Sequence, residues 1–162
     1  MSFSRGLTAL TLATGLSTPV GAQSEREMVQ RYCAGMITEF YNPDGTRTDC
    51  ISSTHAIEVD FSNRWADAIG QALHYALWTK EFQANPETFG RWVYQVRTAR
   101  KPGMILICKA NIRTETCADH MVRPKRIAEE YGIALTIWDC DPETDTTLAE
   151  CQRIDVLPTR AD

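Results

Sequence analysis

Three acids stand at spacings that could do chemistry. Asp49 lies in a short β-like run, RTDCI, and Glu58 and Asp60 alternate with Ile57, Val59 and Phe61 in the next run, HAIEVDF. Strand side chains alternate between faces, so Glu58 and Asp60 share one face and the three apolar residues share the other. If the two runs pair as neighbouring strands, Asp49 joins the acidic face. Three carboxylates would then lie within reach of one hard cation, Mg²⁺ or Mn²⁺. The same alternation also describes the solvated face of a half-exposed antiparallel strand, on which the acids would bind nothing.

Other candidates flank this cluster. Glu39, on the preceding β-like run, is a further acid, and Arg64 follows the acidic strand within about one helical turn. Gln71 and Tyr75 are i and i+4 on the next helical pattern and therefore stack on one face. The three histidines, His55, His74 and His120, are scattered, and no Cys-x-x-Cys pair exists, which argues against zinc. His55 falls on the apolar side of its strand and reads as a satisfied interface residue, and His74 as a surface one.

The elements that must position these residues can be taken in order. Ser24 and Glu27 form a capping box for a helix that Gly35 ends. Residues 36–42 alternate as a strand, Asn42-Pro43-Asp44-Gly45 is turn chemistry, and residues 46–52 return as a second strand. A break at Ser53-Thr54 leads to a third strand, 55–61, completing an antiparallel meander. A helix over 64–79 buries Trp65, Ala68, Ile69, Ala72, Ala76 and Leu77. Pro86 breaks residues 80–101, within which 87–96 read as either a short helix or a lid-like insertion. Residues 104–108 form a buried strand, 120–131 a helix and 133–138 a last buried strand; from Asp139 onward the chain reads as polar and irregular. The fold class expected is α/β, helices packed on a mixed sheet in the order α-β-β-β-α-β-α-β.

Composition sets the compartment and limits the partners. The first 22 residues carry Arg5, an apolar stretch from Leu7 to Leu16 and the small-residue site Val20-Gly21-Ala22, which together read as a secretory signal peptide and not a membrane span. Residues 23–140 then form one α/β domain, and 141–162 a polar tail tethered by a disulfide. The formal charge is -4, and losing Arg5 with the signal takes it to about -5. So acidic a chain binds nucleic acid only through a local basic patch. The candidates are Arg91, Arg97, Arg100 and Lys101 in one stretch, and Arg123, Lys125 and Arg126 in another. Six cysteines in an exported chain imply disulfides. Cys108 with Cys117 and Cys140 with Cys151 each bracket a polar loop as local staples, and Cys140–Cys151 is the favoured pair.

The element order, with Asp49 on the second strand and Glu58-x-Asp60 on the third, resembles the PD-(D/E)XK nuclease superfamily over residues 24–138. Gln71 and Tyr75 in GQALHYA resemble the Q-x-x-x-Y element of its RecB-like exonuclease branch. The resemblance implies a restriction-endonuclease-like sandwich and an exported, Mg²⁺- or Mn²⁺-dependent nuclease, with DNA preferred over RNA as the partner. It assigns Asp49 and Glu58, with Asp60 and Glu39 as further acids, to the metal. It places Asp49, Glu58, Asp60, Arg64, Gln71 and Tyr75 in catalysis. Asp60 stands where the family usually has Lys, so Arg64, Gln71 or Lys109 would have to supply the positive or donating group. The alternative is a catalytically inactive nuclease-fold module that binds a partner in the cell envelope.

Overall fold

A computed structural model describes residues 24–109 and 114–158. The signal-like segment 1–22 lies outside them. The order is α1 (Glu25–Tyr32), β1 (Ile37–Tyr41), β2 (Arg47–Ile51), β3 (His55–Phe61), a 3₁₀ turn (Ser62–Arg64), α2 (Trp65–Ala84), α3 (Gly90–Gln95), β4 (Lys101–Ile107), α4 (Thr114–Glu130), β5 (Leu135–Cys140) and β6 (Gln152–Val156). The six strands form one mixed sheet in sequential order. β1, β2 and β3 are antiparallel neighbours, β3, β4 and β5 run parallel, and β6 returns antiparallel to β5.

Local chemistry accounts for the meander. At the β1–β2 turn Gly45 takes φ +85°, the Asn42 N–H donates to the Thr46 carbonyl at 2.8 Å, and Asp44 Oδ1 accepts from the Thr46 N–H. Ser24 and Glu27 close the expected capping box on α1. The 87–96 segment contains the short helix α3, and Phe82, Phe89, Trp92 and Trp78 form an aromatic cluster there beside Phe40.

Helices cover both faces of the sheet. On one, Met28, Val29 and Tyr32 of α1 pack on Ile57, Val59, Ile105 and Ile107. On the other, Ala68 and Ala72 of α2 and Met121 and Ala128 of α4 pack on Met104, Leu106, Leu135 and Ile137. Because β3 alternates, Ile57 and Val59 meet α1 while Ala56 meets Tyr75 and Ala76 of α2. Glu58 and Asp60 share the Ala56 side, so the acidic face lies under a helix and is buried. That excludes the solvated-face reading of the E-x-D alternation.

Several boundaries differ from the expected ones: β4 spans Lys101–Ile107 and β5 Leu135–Cys140. α2 runs on to Ala84, and α4 begins at Thr114 and contains Pro124. From Asp139 onward the chain is not simply irregular: residues 152–156 form β6, with Ile137 opposite Ile154 and Leu135 opposite Val156. Five residues carrying only Ile154 and Val156 as apolar positions give a weak periodic signal, and β5 supplies the missing specification by pairing.

All six cysteines are paired, as Cys33–Cys50, Cys108–Cys117 and Cys140–Cys151, with Cα separations of 5.9, 5.8 and 4.6 Å. Both short-range staples are as expected, and the pairing fits an oxidising compartment. Among the described residues no helix is long and apolar enough to cross a membrane.

Candidate active site

The register that sets Cys50 opposite Ile57 and Ile51 opposite Ala56 brings Asp49 alongside Glu58. Asp49 Oδ2 accepts the Val59 N–H at 2.9 Å, which holds its carboxyl over β3. Asp49 is 3 % exposed and Glu58 5 %. From α2, Tyr75 O–H donates to Gln71 Oε1 at 3.0 Å. That bond leaves the Gln71 amide N–H groups free to face outward. All four side chains line one open cavity of about 420 Å³, together with Glu25, Arg47 and Tyr41.

Both carboxyls are raised above the usual carboxylate range, Glu58 the further of the two. Burial first, and then the charge and hydrogen bond of Asp49, push Glu58 far above the usual carboxylate range, to about 10. Burial also raises Asp49, while the hydrogen bonds from the Val59 amide and from Glu58 work against that rise. Tyr75 is raised by burial and by both acids, so its phenol stays protonated as the donor to Gln71.

The remaining candidates are placed elsewhere. Asp60 is 1 % exposed; its Oδ1 accepts the Phe61 N–H at 2.7 Å, and Arg64 Nε stands 3.4 Å from Oδ2. That guanidinium is in ion-pair range but not aligned for a hydrogen bond, so Oδ2 is left without a hydrogen-bond partner. Burial raises the Asp60 pKa, with Phe61 and Arg64 working against it. Arg64 also reaches Glu25 at 3.7 Å and Asp67 at 3.8 Å. Neither Asp60 nor Arg64 lines the cavity. Glu39 does not line it either, and its carboxylate pairs with Arg47. Lys109 lies over the Phe61 ring at 3.5 Å. Among the described residues no three His, Cys, Asp or Glu side chains converge as a ready-made metal cage.

No family model matches the chain, and no curated protein or solved structure matches it.

What can be said of the site therefore comes from its atoms. Its donors are oxygens, with no imidazole or thiolate, and such a set suits a hard cation. Mg²⁺ is commonly held by one or two carboxylates while keeping most of its waters. Asp49 and Glu58, buried side by side on neighbouring strands, fit that requirement. Sequence reasoning missed Glu25 and Arg47. Glu25 occupies the first turn of α1, where the helix dipole already accounts for an acid, and Arg47 reads as an ordinary strand end. His55 is the satisfied buried residue expected, bonded to Thr54 and Thr136, whereas His74, read as a surface residue, is half-buried and contacts Asp44 Oδ2 at 2.8 Å.

Proposed function

We propose that this chain is an exported metal-dependent nuclease that hydrolyses phosphodiester bonds, DNA in preference to RNA, in the manner of the PD-(D/E)XK enzymes it resembles. The observation that carries the reading is the Asp49–Glu58 pair, buried on neighbouring strands in an open cavity beside the Gln71–Tyr75 pair. Two adjacent buried acids are costly in a purely structural role, which neutral residues would fill without that cost. Such perturbed pairs in clefts are candidates for function. The α-β-β-β-α-β order around a sheet with three parallel strands supports the same reading.

Asp49 and Glu58 would hold Mg²⁺ or Mn²⁺. When bound, the ion supplies Lewis-acid stabilisation of phosphate charge and a water of lowered pKa. The chain's own groups do the rest. The Val59 amide fixes Asp49, and Tyr75 orients Gln71 so that its amide donates to a phosphate oxygen at the cavity mouth. Arg47 offers positive charge at the rim.

The test is incubation of the mature, oxidised protein with supercoiled and linear DNA in Mg²⁺ or Mn²⁺, against EDTA. Metal-dependent cutting is expected, with a loss of about 100-fold or more in Asp49→Asn and in Glu58→Gln. Intact DNA with either metal at micromolar protein would sink the enzyme reading. The inactive nuclease-fold binding module would then be favoured, a reading for which Asp60, tied to Arg64 where the resembled family carries Lys, already speaks.

A further inference from the structure

The two basic stretches of the sequence lie on different elements, Arg123, Lys125 and Arg126 on α4 and Arg91 on α3. Lys125 on α4 pairs with Glu129. Arg91 lies on α3 and Arg97 just after it, and Arg91 lies beside β1. Between β1 and α3 runs a second cavity of about 390 Å³, whose lining includes Glu39, Tyr41, Arg91, Trp92 and Gln95. Tyr41 lines both cavities and so stands between them.

This groove sets one cation, Arg91, near one exposed aromatic residue, Tyr41. The Tyr41 ring is 63 % exposed, while its backbone carbonyl is pinned by the Trp92 indole N–H at 2.9 Å. The Arg91 guanidinium lies 4.0 Å over the Trp92 ring and has no ion-pair partner among the described residues. Tyr94 on α3 is 78 % exposed, with Arg97 over it at 6.0 Å. Glu39 is the one acid among the residues lining the groove, and Arg47 neutralises it.

We infer that this groove binds single-stranded nucleic acid and leads the strand past Tyr41 into the carboxylate cavity. The direction of travel rests on the nuclease reading; the binding does not. An exposed ring on a rigid backbone stacks an unpaired base and cannot reach the base faces of an intact duplex. A chain of net charge -4 holds a polyanion only where cations are local and stacking adds to them. Tyr41 and Arg91 supply both at the entrance to the acids.

The test is fluorescence anisotropy of a labelled 15-nucleotide oligothymidylate and of a 15-base-pair duplex, in low salt and EDTA so that nothing is cut. The single strand should bind at least about tenfold more tightly than the duplex. Tyr41→Ala should lose roughly tenfold in single-strand affinity and Tyr41→Phe should keep it. Arg91→Ala should lower the salt slope by about 0.7. Both positions are exposed, so the variants are expected to fold, and circular dichroism checks that they do. Equal affinity for strand and duplex, or Tyr41→Ala indistinguishable from wild type, overturns the inference whatever the cleavage assay shows. Single-strand binding that depends on Tyr41, without cleavage in Mg²⁺ or Mn²⁺, upholds the groove and refutes only the enzyme.

Discussion

Glu58 sits under α2 between Ala56 and Asp60, in a place an apolar residue could fill without electrostatic cost, and its proton is held to about pH 10. A folded-state pKa raised above the unfolded value means that the folded form binds more protons. The associated stability is complete below pH 4.5 and is lost as pH rises toward 10. Other groups change in a lower window. Asp49 and Asp139 are raised to about 6, and His55 is lowered to about 4, so that its contribution is lost only as pH falls below 6.5. Between pH 7 and 9 Glu58 is therefore the dominant source of pH dependence among these groups. The metal-free wild type should melt lower at pH 9 than at pH 7, and Glu58→Gln should flatten that slope and raise the melting temperature at pH 9 by about 3 °C or more. Thermal melts in EDTA at both pH values decide it, and an unchanged slope in the variant would remove Glu58 from this role.

At the scale of elements, the site depends on how closely β3, β4 and β5 pack beneath it. Gly103 of β4 pairs with Ile57 and Thr136. A Cβ there would meet the Trp138 ring at 2.8 Å and Ile57 Cγ1 at 3.3 Å. Trp138 is held in place, 7 % exposed, with His55 edge-on at a centroid distance of 5.2 Å. A fused ring locked between strands cannot yield as a flexible chain end would. Gly103→Ala should thus cost about 1–3 kcal/mol, read as a lower urea midpoint with an unchanged m-value. Neutral behaviour would mean that the ring moves aside freely.

Over the whole molecule, the disulfides join the layers that carry the acids. Cys33–Cys50 ties the end of α1 to β2, linking the helix of Glu25 to the strand of Asp49 across 17 residues. Cys108–Cys117 ties the end of β4 to α4, and Cys140–Cys151 closes the segment before β6. Protein from an oxidising compartment should show no free thiol by mass spectrometry, and the Cys33→Ser, Cys50→Ser double variant should lose about 3 kcal/mol in denaturant titration. Free thiols in material that still folds would overturn both the pairing and the export reading.

The sequence by itself determined the features that follow from backbone periodicity. The alternation in HAIEVDF placed Glu58 and Asp60 on one face, Asn42-Pro43-Asp44-Gly45 marked the hairpin, and the i, i+4 spacing set Gln71 beside Tyr75. These are properties of a few consecutive φ/ψ values, so a local reading reaches them. Tertiary structure decided what lies over each face. It buried the acidic face under α2, brought Glu25 and Arg47 into the cavity, and gave Asp60 an ion pair with Arg64 outside the cavity lining. It also made a strand of residues 152–156 and paired Cys33 with Cys50. Burial, and with it the raised pKa of Asp49 and of Glu58, depends on elements far apart in the chain, and no local spacing encodes that.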